Sequence, residues 1–576
     1  MSVTSDLNED LSHPTVEAGL EKKHIQLGFE HVFACGCLAL LFGYFNFIPL
    51  YHTDLWGHVA YGDWIIQNQQ LPTEDPFLSL AEGVPIIASA WLGQVLFSVT
   101  ERWAGLEGLS TLFAVVMTST LLILYFSFYQ QTRRVGLSTL VVLFCLFLGS
   151  TRIAIIRTEI FGSFSLALLL LTITFSEQLH APKTQLLKKL KSPWVLYPAV
   201  FLIFWFWANA HGSFIIGMAV TGCHLLGRSL EVLWKQKSLV SVIKDPGVRK
   251  WLIVNEIAVA ASLLNPYGID LLLNAFMFPS NPNLADITEW YAMETTHAEG
   301  ILFAFSWIVL VFLVRHSRRT IRPVDVLLLA VFSFSYLSRV RMANWYAIIF
   351  CYTMAPHFKN VLERIEQSLL PYFHHRFPKL SSRAASKSQL CTIFCLVVLW
   401  FGFVLSPSST PLLNGTPRPT ETILSKETPQ GVTHFFRNHP PPGQIWNPQW
   451  WGDWLAWDGP KGLNVFMTTN AAHVAPNRTW KDYLGIARGQ RGWREAINRY
   501  NVNTIVLQKS LQRQLEREVR RLDDEWNIVF EDQYALVVTR DSSFLESVNK
   551  SRAEKKPSST TEAVAPQQPT TQQNNS

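Results

Sequence analysis

The residues of this chain that could do chemistry stand at the ends of its apolar runs. The stretch YHTDLWGHVAYGDWIIQNQQLPTEDPF, residues 51–77, carries Asp54, His58, Asp63, Glu74 and Asp75 among five aromatic residues. A helix over 54–68 would put Asp54 and His58 four apart on one face. There a carboxylate could deprotonate a hydroxyl, and the imidazole could orient it or share a metal ion. The competing reading makes Asp54 a helix cap, with Trp56, Tyr61 and Trp64 anchoring an interfacial helix at the headgroups. Asp75, in TEDPF, is either a turn residue before Pro76 or a second carboxylate that joins Asp54 on Mg2+ or Mn2+. Arg339 and Arg341, in LSRVRMANW, flank a short turn between apolar segments. Their guanidinium groups could bind a phosphate bidentately or snorkel to lipid headgroups. Arg157 opens an apolar run and reads either way; an ion pair with Glu159 is not expected, since residues two apart on a helix do not face each other. His211, in WANAHGSF, breaks two apolar runs and is either functional or hydrogen-bonded structure.

These side chains need elements to hold them, and composition restricts what those are. The 576 residues are 49% hydrophobic, 13% aromatic and only 16% charged, against about 25% charged in soluble domains. The expected fold is mainly α, a polytopic transmembrane helical bundle. At about 20 apolar residues per crossing, candidate spans fall near 29–50, 109–129, 136–151, 159–178, 194–210, 212–234, 251–267, 300–315, 322–338, 341–357 and 389–406, about eleven in all. The exits of the even-numbered spans are basic: Arg133 and Arg134, Lys183 to Lys191, Lys235 to Lys250, Arg315 to Arg322, and Lys359 to Lys387. With Lys22 and Lys23 ahead of the first span, these loops belong in the cytoplasm. The net charge of +6 is thereby assigned to cytoplasmic loops, and no nucleic-acid partner is expected. The loops 51–108, 152–158, 210–212, 268–299 and 339–341 then face outward, as does everything after 406. Outward arginines run against the positive-inside tendency and ask for a reason.

All seven cysteines lie in apolar runs, so neither a disulfide framework nor a thiolate metal site is expected. Residues 1–28 are polar, without the short apolar core of a cleavable signal, and read as a cytoplasmic disordered tail. Residues 407–428 read as a linker. Residues 429–545 read as a small extracytoplasmic α/β domain, with strands at 464–469 and 503–508, a helix over 510–526, and two strands over 527–540. Residues 546–576 read as a disordered tail. Trp450, Trp451, Trp454 and Trp457 crowd together, and their spacing favours packing of this domain onto the membrane portion over sugar stacking. NPYG, residues 265–268, reads as a helix-ending turn. No G-x-S-x-G, P-loop or H-E-x-x-H signature occurs.

The stretch DLWGHVAYGDWIIQNQQLPTEDPFLS, with WANAHGSF, NPYG and NPQWWGDWLAWDGPKGLNVF, resembles a group of bacterial membrane proteins within the GT-C glycosyltransferase-like superfamily. The chain departs from that pattern in PFLS, in SAWL at 89–92 and at Thr158. The resemblance implies an enzyme of the bacterial inner membrane. It would take a sugar from a polyprenyl-phosphate-linked donor at the outer face and pass it to an envelope glycan, lipid or protein. It also implies a role for the acidic residue after the first span, Asp54, as base or metal ligand. His58 and His211 would be supporting polar groups, Arg339, Arg341 and Arg157 would bind the donor phosphate, and Asp54 with Asp75 would hold any Mg2+ or Mn2+. Two other readings remain open: a transporter or flippase for a lipid-linked glycan, and a non-enzymatic scaffold whose outer domain binds a partner.

Overall fold

The structure is a computed structural model and describes residues 27–51, 53–177, 193–374 and 384–554. The tail 1–28 up to residue 26, the basic loop with Lys183, Lys188, Lys189 and Lys191, and residues 555–576 lie outside the described residues. The membrane portion is built from α1 (Phe29–Phe47), α2 (Thr53–Asn68), α3 (Trp91–Thr132), α4 (Val135–Leu148), α5 (Glu159–Glu177), α6 (Pro193–Ala210), α7 (Phe214–Gln236), α8 (Pro246–Ser262), α9 (Ile269–Met277), α10 (Ala298–His316), α11 (Pro323–Ser338), α12 (Ala343–His374) and α13 (Ala384–Val404). A helix coincides with every predicted span. By length and composition α1, α3, α5 and α10 are apolar enough to cross a membrane, and α4, α6, α9, α11 and α13 carry shorter apolar helices. Leu40, Leu202, Ile308, Phe334, Leu396 and Phe401 stay exposed on these helices, which suits a surface solvated by lipid tails. This is a multi-pass membrane protein.

One boundary differs from expectation. The predicted second span begins at 109, whereas the helix begins at Trp91 and bends at Gly105, whose φ of 61° is a left-handed value. A helix of 42 residues is about 63 Å long at 1.5 Å per residue, roughly twice the hydrocarbon thickness. Its first third therefore belongs to the connection that follows α1 and packs beside α2.

The connections sort into two ends. At one, Arg134 pairs with Glu366 through two hydrogen bonds of 2.5 and 2.8 Å, and Glu177 pairs with His224 at 3.2 Å and Arg322 at 2.9 Å. These residues follow or precede the connections expected in the cytoplasm. At the other end lie α2, the loops 85–90, 152–158, 211–213 and 278–290, the turn 339–342, and the C-terminal domain.

That domain contains α14 (Gln430–Asn438), β1 (Gln444–Trp446), α15 (Gln449–Asp458), α16 (Asn477–Ala487), α17 (Trp493–Arg499), β2 (Val502–Gln508), α18 (Arg513–Arg520), β3 (Asn527–Glu531), β4 (Ala535–Thr539) and α19 (Ser542–Glu554). The sheet order is β1-β2-β4-β3, with β1 parallel to β2 and the other pairs antiparallel. β4 is buried along its whole length and β2 along all but one residue, which explains why each reads as a nearly unbroken apolar run. The strand expected at 464–469 is absent apart from one bridge, Gln444 to Asn464. Asn447 accepts the Phe466 N–H at 2.8 Å and donates to the Met467 carbonyl at 2.8 Å. A side chain thus takes the bonds that a neighbouring strand would have made. The expected helix 510–526 shortens to α18. The expected tail begins late, because α19 continues to Glu554 and buries Phe544 and Val548.

The linker is stapled to the outward end. Arg418 forks onto Glu107 with two bonds of 2.7 Å, and Leu50 bridges to Leu424. The tryptophans dock the domain: Trp56 of α2 stacks on Trp457 at 4.8 Å and meets Trp454 edge-on at 4.7 Å. Trp56 and Tyr61 are thus buried under the outer domain, 2% and 4% exposed, and not at the headgroups as an interfacial anchor would be. Removing the central ring should be costly. Trp56→Ala is expected to destabilise the protein by about 3–5 kcal/mol, read as a lowered melting temperature with faster proteolysis between 407 and 428.

Candidate active site

The connections at the end of the bundle that carries α2, together with the C-terminal domain, enclose a cavity of about 1520 Å³. Asp54, His58, Arg157, His211, Arg339 and Arg341 all line it. α2 forms one wall: Asp54 lies in its first turn, where the positive end of the helix dipole favours a carboxylate. The residues four and seven further on, His58 and Tyr61, face the same space. This follows from the 3.6-residue repeat; the shared face of Asp54 and His58 is the one expected from their spacing, whereas Tyr61 was expected at the headgroups.

Arg157 occupies the centre of the polar wall. Its side chain is 7% exposed. It donates to Glu159 through Nη2 at 2.5 Å and Nε at 3.0 Å, and its Nη1 reaches Asp54 Oδ2 at 3.3 Å and Glu289 Oε2 at 3.2 Å. The pair with Glu159 contradicts the expectation from helix spacing. α5 begins only at Glu159, so Arg157 precedes the helix and its side chain turns back onto the first helical residue. Glu289 also takes a 2.7 Å bond from Arg152 and lies 3.3 Å from Arg341. Burial pulls the Glu289 carboxyl upward, but the guanidiniums of Arg157, Arg341 and Arg152 outweigh it and hold the group well below the carboxylate range. Burial likewise works against the Arg157 charge and loses to Glu159, Glu289 and Asp54, which keep it firmly protonated.

The two histidines are positioned differently. His58 Nε2 lies 3.3 Å from Thr158 Oγ1, and its ring stacks on Phe97. His211 Nδ1 accepts the Ser213 N–H at 3.1 Å and lies 2.8 Å from Ser213 Oγ, which accepts from Trp207 Nε1 at 2.9 Å. An Nδ1 that accepts leaves the proton of the neutral ring on Nε2. Burial is the main reason that His211 sits far below the usual imidazole value, at about 3; Glu159 opposes it, while Arg157 and Arg341 add to it. His211 is therefore a neutral donor at physiological pH.

Arg339 and Arg341 share Trp290, lying over its ring at 4.9 and 4.3 Å. Arg339 also donates to the Pro279 carbonyl at 3.1 Å. The two guanidiniums thus belong to the cavity wall formed with the 278–290 loop, which distinguishes them from arginines snorkelling into lipid. Asp75 does make a turn: Oδ1 accepts the N–H groups of Phe77 and Leu78 at 3.0 and 3.2 Å. Its Oδ2 accepts from Tyr61 Oη, and from Asn470 Nδ2 at 2.7 Å. Both oxygens are committed, and the second bond ties the outer domain to α2. Asp75 is consequently not placed to join Asp54 on a divalent ion. Asp54 itself faces a guanidinium, and among the described residues no group of three His, Cys, Asp or Glu side chains could hold a metal. The donor set does not fit a preformed Mg2+ or Mn2+ site.

The outer domain adds Asp453, which is 1% exposed. Its carboxylate accepts the Thr469 N–H at 3.1 Å. A Cβ at Gly57 would come within 2.5 Å of Asp453 Oδ1, so only glycine lets α2 and α15 approach this closely. Burial, with the nearby Asp54 charge, pushes the Asp453 carboxyl well above its ordinary value. Sequence reasoning gave no site role to Asp453, Glu159, Arg152, Glu289 or Trp290. The last four stood out only as polar or aromatic residues in outward loops. For the arginine, the signal was its place on the rarely basic side. Asp453 carried no local signal, because its environment is made by α2, nearly 400 residues away.

No family model matches the sequence, and no curated protein sequence matches it. Among solved structures, the chain is similar to the oligosaccharyltransferase of Archaeoglobus fulgidus in its apo form. The match has a TM-score of 0.50 and 13% identity, and covers 83% of this chain and 69% of that one. It is also similar to ArnT from Cupriavidus metallidurans bound to undecaprenyl phosphate (TM-score 0.46, 11% identity, 89% of this chain and 98% of that one). For ArnT in the apo state the TM-score is 0.47 at 12% identity, with the same coverage. The chain shares its overall fold with the Archaeoglobus fulgidus oligosaccharyltransferase.

The raised pKa of Asp453 gives a signed pH test. Its folded pKa lies above the ordinary 3.8, so its contribution to stability is full below 3.8 and is lost as pH rises through the folded value. Asp453→Asn removes that loss. The variant is expected to be more stable than the wild type at pH 7, by on the order of 1–3 kcal/mol, with the difference closing by pH 4. Denaturation of both proteins across that range reads it, and a gap that widens on acidification would contradict a protonated Asp453.

Proposed function

We propose that this membrane protein is a glycosyltransferase acting at the outer face of the bacterial inner membrane. It takes a sugar from a polyprenyl-phosphate-linked donor and passes it to a hydroxyl or amide of an envelope glycan, lipid or protein. The observation that carries this reading is the cavity lined by Asp54, His58, His211, Arg152, Arg157, Arg339 and Arg341, which come from four separate segments, α2 and the stretches 152–158, 211–213 and 339–342. The oligosaccharyltransferase-like fold supports it. Sidedness rests on the basic loops at the opposite end, which favour the cytoplasm and leave the cavity outside.

In this reading Asp54 accepts the proton of the acceptor as the acceptor atom bonds to the anomeric carbon. The bond from that carbon to the phosphate oxygen breaks, and the leaving group departs as an anion. Arg152 and Arg341, each in contact with Glu289, and Arg339 beside Trp290, are the cations that meet its charge. His211 donates through Nε2, and His58 orients polar groups beside Asp54. No step passes through a metal ion, since the carboxylates are committed to guanidiniums.

Transfer from labelled polyprenyl-phosphate sugars by the purified full-length protein tests the proposal. Asp54→Asn is expected to lower kcat by roughly 10²–10⁴-fold, and equal transfer by that variant would remove Asp54 from the mechanism. Arg341→Ala is expected to raise the donor KM by roughly 10–100-fold, the loss of one charge-assisted bond, with a smaller effect on the acceptor KM.

A further inference from the structure

The four crowded tryptophans do not all do the same thing. Trp454 and Trp457 pack on Trp56 of α2, and Trp451 is 2% exposed within the C-terminal domain. Trp450 is different. With Gln449 and Asp453, which lie within one helical turn of it on α15, it lines the cavity. Its Nε1 donates to Gln508 Oε1, which fixes the plane of the indole. Among the described residues no other aromatic ring stacks on it, and it is only partly buried.

The wall to which Trp450 belongs is uncharged except at Asp453. Gln449, Asn470 and Asn477 line it from the same domain. Asn470 spends its Nδ2 on Tyr61 and Asp75 at 2.9 and 2.7 Å. Among the described residues its Oδ1 takes no hydrogen bond, and neither do the side-chain amides of Gln449 and Asn477. The cations that line the cavity, Arg152, Arg157, Arg339 and Arg341, all come from the opposing connections of the membrane helices. The cavity is thus divided into a cationic wall and a neutral one. Its volume of about 1520 Å³ exceeds the roughly 300–1,000 Å³ of a pocket for one small ligand, which leaves room for two substrates.

We infer that the neutral wall is the acceptor subsite and that it takes an uncharged sugar, with one ring laid on Trp450 and its hydroxyls met by Gln449, Asn470 and Asn477. An amide offers a donor and an acceptor side by side, which matches neighbouring hydroxyls on a sugar. The indole face matches the C–H surface of the ring. An anionic acceptor would call for cations on this wall, and a lipid acceptor for an aliphatic lining. A peptide bound as an extended strand docks on a sheet edge, and among the described residues no strand of this domain lines the cavity. The same face of α15 leads toward the proposed base: Asp453 passes over Gly57, three residues from Asp54 on α2.

Assigning this wall to the acceptor rests on the transferase reading, whereas sugar binding there does not. Titration of the purified full-length protein, in a detergent without a sugar headgroup, tests the subsite. The probes are two neutral oligosaccharides, maltotetraose and tetra-N-acetylchitotetraose, two charged ones, tetragalacturonate and tetraglucosamine, and a neutral tetrapeptide. At least one neutral oligosaccharide is expected to bind, insensitively to added salt. Trp450→Ala is expected to weaken that binding by roughly 10-fold or more, and Trp450→Phe to retain most of it. If Trp450→Ala does not fold, Gln449→Ala and Asn477→Ala carry the test, each weakening binding by roughly 2–10-fold. Failure of both neutral oligosaccharides to bind would overturn the inference. So would tighter binding of a charged oligosaccharide or the tetrapeptide, or neutral binding unmoved by these variants. Oligosaccharide binding without transfer from any donor would count against the transferase reading and leave the sugar site standing.

Discussion

The outward half of this protein depends on the burial of the Arg157 charge. A guanidinium that is nearly inaccessible to water is tolerated only if its N–H groups and its charge are met by partners. Here the partners come from α2, the start of α5 and the 278–290 loop. Each anion is itself buried or half-buried and needs the cation in turn. Glu289 extends the arrangement to Arg152 and Arg341, and the guanidiniums of Arg341 and Arg339 both lie over the Trp290 ring. The result is a mutually dependent set in which deleting any member strands an opposite charge. Loops that would otherwise be mobile are held in one geometry, which a preorganised reaction site requires.

The C-terminal domain completes that geometry. It meets α2 through the stack of Trp56 on Trp457, through Asn470 bound to Asp75 and Tyr61, and through the close passage of Asp453 over Gly57. The apolar contacts supply adhesion and the polar ones set the register. The domain thereby roofs the cavity and contributes Asp453, whose carboxyl burial and the nearby Asp54 charge push well above its ordinary pKa. Roofing also lowers the local dielectric, which strengthens every charge pair beneath it.

Much of this was legible beforehand, because the physics behind it is local. Apolar runs of bilayer length announced the helices. The i, i+4 spacing of Asp54 and His58 placed them on one face. The four tryptophans predicted a docking surface. Local reasoning failed where a neighbour in sequence was not a neighbour in conformation. Arg157 and Glu159 do not face each other on a helix, but Arg157 precedes the helix. Trp56 has the composition of a headgroup anchor, but the outer domain covers it. The segment 464–469 has strand chemistry, but Asn447 satisfies its backbone.

The sequence by itself determined a polytopic helical protein with a C-terminal α/β domain and a set of polar residues at the ends of its apolar runs. These follow from hydropathy, charge and short-range periodicity, which act over a few turns of chain. Only the tertiary structure decided which carboxylates meet which guanidiniums, that Asp75 is spent on a turn and a domain contact, and that burial beside Asp54 raises the pKa of Asp453. Those outcomes depend on desolvation and on distances between segments hundreds of residues apart, and neither quantity exists until the chain has folded.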